Sequence, residues 1–183
     1  MAGSMDDQLL TTAMIGYQQG SLDDFSTLFS ALEGPLLRYL WTFVHNRPTA
    51  EDLLQETFLQ VHRARHTYTP PRPVRPWIYA IARHVALMYL RSMRRRKEYL
   101  PDDELPDFPV LPGVEQIGDR RQVERLLRRL PRAGQEVLIL HHLLGLSFQE
   151  VGKVLGLSAG AAKVRAHRAM KALRTELEQE GAR

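Results

Sequence analysis

The chain has 183 residues, a formal net charge of +4 and 44% hydrophobic residues, enough for one domain or two small ones with packed cores. No run of about 18 apolar residues occurs, which excludes a membrane-spanning helix, and the N-terminus carries no secretory pattern. With no cysteine there is neither a disulfide framework nor a thiolate metal site, a composition that fits a cytoplasmic protein.

The charge is arranged in blocks. Residues 1–66 hold 4 Lys/Arg against 8 Asp/Glu, and residues 67–97 hold 8 basic residues and no acidic one. Residues 98–119 hold 7 acidic residues and no basic one, and residues 120–183 hold 13 basic against 6 acidic. Two basic surfaces flanking an acidic segment predict two separate contacts with a polyanion.

Taken along the chain, almost every long segment reads as helix. Met1 to Ser4 read equally as native residues or as a remnant ahead of a native Met5. Phe25, Leu28, Phe29, Leu32, Leu36 and Leu40 recur at spacings of three and four, an amphipathic helix with a break or kink near Gly34-Pro35. Thr49, preceded by Pro48, is placed to cap an acidic helix opening at Ala50-Glu51-Asp52. A loop follows, Thr67 to Pro76, with four prolines and two arginines, and then a helix running from Trp77-Ile78-Tyr79 to the basic cluster Arg94-Arg95-Arg96-Lys97. His62 and His66 stand at i and i+4, a spacing that ligates zinc, but the sequence offers no third ligand, so neither metal nor cofactor is expected. Residues 98–118 combine acids with Pro101, Pro106, Pro109 and Pro112, which is linker composition. No alternating run bounded by hairpin turns suggests a sheet.

After the linker, Pro131 suits the first turn of a helix through Val137, Leu138 and Leu140 to Leu144, broken by Gly145. Ser147-Phe148-Gln149-Glu150 is a capping box opening a short helix that ends at Gly156, and Ser158 is positioned to cap the next. Short helix, glycine turn and longer helix make a helix-turn-helix. On the last helix Ala162, Ala166, Ala169, Met170, Leu173 and Leu177 fall on one stripe, at about 100° per residue. Lys163, Val164, Arg165, His167, Arg168, Lys171 and Arg174 take the remaining arc. Small residues on the packed side and Lys/Arg on the other suit a helix that enters a major groove.

These motifs resemble the group IV (extracytoplasmic-function) sigma factors of bacterial RNA polymerase, in the sigma-70 family, over about residues 8–178. The resemblance rests on Ala50 to Phe58, Trp77 to Arg83 and Tyr89-Leu90-Arg91, then Leu130-Pro131, Gly145 to Val151, Leu155 to Ser158 and Lys163 to Ala169. It implies an all-α fold of two small helical domains, residues 5–97 (region 2) and 119–178 (region 4), joined by the acidic linker 98–118. It also implies a non-enzymatic initiation factor whose partners are core RNA polymerase, promoter DNA and an anti-sigma factor.

By that resemblance Asp52, Gln55 and Glu56 dock on the polymerase; as a like-charge pair at i and i+4, Asp52 and Glu56 cost an isolated helix a few tenths of a kcal/mol, roughly, that a basic partner would reverse. Tyr68, Arg72 and Arg75 in the loop, with Trp77, Tyr79, Arg83 and His84 on the helix, are candidates for capturing the −10 single strand, and Arg91, Arg94 and Arg95 for its phosphates. Trp77, on the stripe of Ile81 and Val85, serves core packing as readily as base stacking. Ser158, Lys163, Val164, Arg165, His167, Arg168 and Lys171 are candidates for the −35 duplex. His84 stands where the family often has Asn, Met88 where it has Asp or Asn, and Val164 where Ser is common; Met88 reads most simply as core. The linker acids Asp102, Asp103, Glu104 and Asp107 would follow basic channel walls or simply keep a tether extended. A regulatory decoy of the same family would lack the two basic blocks. An enzyme would need a phosphate loop, a metal-ligand set or a nucleophile–base pair, and the sequence offers none of these.

Overall fold

A computed structural model describes residues 2–97, 127 and 129–181. The acidic linker, with Asp102, Asp103, Glu104 and Asp107, lies outside the described residues. Those up to residue 97 fall in one compact unit and those from residue 127 in another. All regular structure among them is helical.

The first unit packs α1 (Ala2–Gln18), α2 (Leu22–Val44), α3 (Arg47–Ala64) and α4 (Val74–Lys97), with a 3-10 turn at Arg65–Thr67. The central helix is α2, which touches each of the other three. Ser21 caps it by accepting from the Asp24 N–H at 3.2 Å, and Asp23 and Asp24 sit in its first turn, where the helix dipole favours anions. Its stripe of Leu28, Leu32, Leu36, Tyr39 and Leu40 is fully buried, as are Met14, Val61, Ile78 and Tyr79 of the other helices.

Local reading is corrected at three places in this unit. Pro35 does not end α2, which continues to Val44. A mid-helix proline costs roughly 3 kcal/mol, but burying the four leucines of that stripe is worth roughly 1.5–3 kcal/mol each. The cap of α3 is Asn46, not Thr49. The Asn46 Oδ1 accepts from both the backbone N–H and the hydroxyl of Thr49, each at 2.9 Å, so Pro48 lies within the first turn, where a missing N–H costs nothing. For the same reason α4 begins at Val74 and takes Pro76 into its first turn, shortening the proline loop.

The second unit contains α5 (Arg132–Leu138), a π turn at Ile139–Leu143, α6 (Phe148–Leu155) and α7 (Ala159–Gly181). Pro131 stands one residue outside α5, its carbonyl accepting from Gly134 and Gln135 at 2.8 and 3.1 Å. The expected continuous helix to Leu144 instead widens after Leu138, with Leu144 N–H bonded to Ile139 O at 3.0 Å. Over five residues the α and π periods leave the same apolar pattern, so sequence spacing does not separate them. Both α5 and α6 pack on α7.

Candidate nucleic-acid interfaces

On α3 the side chains of Asp52 and Gln55 are exposed and Glu56 is half-buried, its Oε1 accepting from the Gln60 amide at 2.6 Å. One turn on, Leu59 is 42% exposed, so an apolar side chain extends the acidic row. Neighbouring Glu51 is already paired with Arg47 at 2.8 Å. Among the described residues no basic side chain pairs with Asp52 or Glu56, which leaves this face its charge.

The loop that follows is built around Tyr68. Its ring is 4% exposed and tilted against Trp77 at 5.7 Å, and its hydroxyl donates to the Arg72 carbonyl. The peptide between Pro70 and Pro71 is cis. Tyr79, 2% exposed, meets Tyr39 edge-on at 5.3 Å, and burial pushes its phenol far above the ordinary value, against the lowering effect of Arg75 and Arg38. Tyr68 and Tyr79 are therefore core residues in this fold, each turned inward by packing that spans helices. Trp77 is half-buried beside them.

The arginines divide as well. Arg72 is exposed, while Arg75 is partly buried with its Nε 3.3 Å from the Asp7 carboxylate of α1. Further along α4, Arg83 is half-buried and His84, Arg91, Arg94 and Arg95 are exposed. Met88 does not join the core. It is 47% exposed, with Arg91 Nη1 4.0 Å from its sulfur, because the buried stripe of α4 runs through Ile78, Ala82, Val85 and Ala86. His84, Met88, Arg91 and Arg95 thus line one outward row, cationic with an apolar insert, suited to a nucleic-acid strand.

In the second unit the capping box is complete: Ser147 N–H donates to Glu150 at 2.7 Å and Glu150 N–H donates back to Ser147 Oγ at 3.3 Å. Gly156 takes φ +69° to end α6. Ser158 caps α7 by accepting from Ala161 N–H at 3.1 Å; being exposed, it keeps its hydroxyl proton for an outside acceptor. Ala162, Ala166 and Ala169 are buried, whereas Leu177, at the end of the same stripe, is 47% exposed. Lys163, Val164, His167, Arg168, Lys171 and Arg174 are exposed and Arg165 half-buried. This is an array of cations around one apolar residue on a helix held by small side chains.

Several residues that shape these surfaces escaped the sequence reading. The helix α1 itself did, although Leu10, Ala13, Met14 and Tyr17, all buried, have helical spacing. Tyr17 hydroxyl meets His62 Nδ1 at 2.6 Å, which engages the ring that the zinc spacing singled out; among the described residues no cluster fit to hold a metal is present. Gly152 has no room for a side chain, since a Cβ there would stand 2.6 Å from the Leu157 carbonyl oxygen. His141 steadies the turn before α6, stacking on Phe148 at 3.9 Å with its Nδ1 2.8 Å from Leu146 O. Among the described residues no helix is long and apolar enough to cross a membrane.

A family model described as Sigma-70 region 2 matches residues 28–96, and one described as Sigma-70, region 4 matches residues 120–173. RNA polymerase sigma factor CarQ of Myxococcus xanthus is 36% identical over 171 residues, covering 91% of this chain and 98% of its own. ECF RNA polymerase sigma factor SigF of Caulobacter vibrioides is 37% identical over 123 residues, covering 67% of this chain and 68% of its own. Among solved structures, the sigma factor RpoE of Bartonella quintana, in complex with the anti-sigma factor NepR, shares the fold. The TM-score is 0.70 at 20% identity, covering 86% of this chain and 98% of that one.

Proposed function

The chain belongs to the sigma-70 family, in its extracytoplasmic-function branch, and from that premise we propose how it initiates transcription. It joins core RNA polymerase through Asp52, Gln55 and Glu56, recognises duplex −35 DNA through α7, and captures the melted −10 non-template strand with the proline loop and α4. Catalysis belongs to the polymerase. The working regions are residues 5–97 and 119–178, with 98–118 as the connection, and the protein acts in the cytoplasm.

One observation carries this reading: the exposed cations of α7 stand opposite a buried alanine stripe, behind a capped turn. A surface of that kind neutralises phosphates and presents Arg168 for bidentate contact with guanine. For the −10 strand the exposed set is Arg72, His84, Arg91, Arg94 and Arg95, with Trp77 half-buried at its edge; Met88 supplies the apolar contact there. Control by an anti-sigma factor is part of the proposal, supported by the complex of the Bartonella quintana protein.

Run-off transcription with purified core enzyme on templates of randomised promoter sequence tests the whole. RNA should start from a selected subset, and failure to start on any template would reject the assignment. Arg168→Ala should weaken binding to the selected −35 duplex by about 1–3 kcal/mol relative to scrambled duplex. An equal loss on every duplex, read by titration at fixed salt, would reduce Arg168 to a phosphate contact.

A further inference from the structure

The proline loop is tied to α1 at both of its ends. Its entrance is held by one side chain of α1: the Gln18 amide donates one hydrogen to Arg65 O at 2.6 Å and the other to Tyr68 O at 2.9 Å. A primary amide has two N–H donors, and both are committed here to the two ends of the 3-10 turn that launches the loop. The same helix end adds the Tyr17–His62 hydrogen bond and sets the Tyr17 ring under the Arg65 guanidinium, 5.9 Å from its centroid. At the loop's exit, Asp7 of α1 faces Arg75 at 3.3 Å. Asp7 and Gln18 are eleven residues apart, about 16 Å along a helix, so α1 runs alongside the loop from exit to entrance.

Between those two anchors the middle of the loop is exposed. An open groove lies there, lined by Gln8, Thr11, Thr12, Pro71 and Pro73, and Thr69, Pro70, Pro71 and Arg72 are exposed. The loop is thus tied at its ends and open in its middle. A loop that must present a preformed pocket to an unstacked base gains affinity and selectivity by having little ordering left to do on binding.

We infer that α1 is a splint for this loop, with Gln18 and Asp7 as positioning residues for −10 base selection, Gln18 from its two hydrogen bonds to the Arg65 and Tyr68 carbonyls and Asp7 from its ion pair with Arg75. The inference rests on the proposed −10 role of the loop. Neither residue touches DNA; each sets the conformation of those that do.

The test uses the full chain bound to core polymerase and single-stranded −10 oligonucleotides with each base in turn at the selected positions. Gln18→Leu keeps the bulk and removes both donors. It should lower capture of the preferred strand about tenfold and narrow the preference among bases toward unity, leaving −35 duplex binding and polymerase association at wild-type level. Asp7→Asn, which removes the charge at the other anchor, should narrow the preference in the same direction and stands in if Gln18→Leu fails to fold. Wild-type base preference in the folded variants would overturn the splint. Failure of the unaltered protein to capture any −10 strand would instead overturn the proposed role of the loop.

Discussion

Reversing Asp52 and Glu56 together to lysine is expected to abolish association with core polymerase while sparing −35 duplex binding. The two carboxylates share a face of α3 with exposed Gln55 and Leu59, and Glu56 is oriented by the Gln60 amide rather than neutralised by a cation. Losing two hydrogen bonds to charged groups costs about 1.5–3 kcal/mol each, so affinity should fall by more than about a hundredfold before repulsion is counted. Glu51→Lys provides the contrast, because Glu51 already spends its charge on Arg47 and an exposed i,i+4 pair is worth only about 0.3–0.5 kcal/mol. Equal, small effects of the double reversal and of Glu51→Lys in a pull-down with core enzyme would remove the docking surface from α3.

The second large effect is expected from adding a single methyl group. In Gly152→Ala the new Cβ would meet Leu157 O at 2.6 Å, Ser158 C at 3.4 Å and Ala159 N at 3.5 Å, all of them backbone atoms that no rotamer change can move. The Gly152 carbonyl also accepts the N–H groups of Gly156 and Leu157, so any shift that relieves the contact loosens the turn between α6 and α7. Overpacking typically costs about 1–3 kcal/mol, and a collision with main chain belongs at the upper end. The C-terminal unit should melt earlier and lose −35 duplex binding, with polymerase association through α3 retained. Gly134→Ala, whose Cβ would lie 3.1 Å from the Ala169 Cβ, meets a side chain instead and should be milder. A wild-type melting profile for Gly152→Ala would show that α6 and α7 do not approach as closely as described.

The acidic face was legible in the sequence because Asp52 and Glu56 lie one helical turn apart. Gly152 was not, because the atoms that crowd it belong to residues 157–159, beyond the turn, and only the folded chain brings them back. The splint is of the same non-local kind: Gln18 acts on residues 47 and 50 positions away, with no local pattern to mark it.

What the sequence determined by itself was whatever repeats within one or two helical turns. That includes the all-helical class, the capping box at Ser147, the cap at Ser158 and the alanine stripe facing the basic arc of α7. Tertiary structure decided the rest. It carried α2 through Pro35, turned Tyr68 and Tyr79 inward and Met88 outward, and set Arg75 against Asp7. Helix periodicity and caps are contests between atoms a few bonds apart, whereas the side a tyrosine faces depends on which distant helix offers it cover.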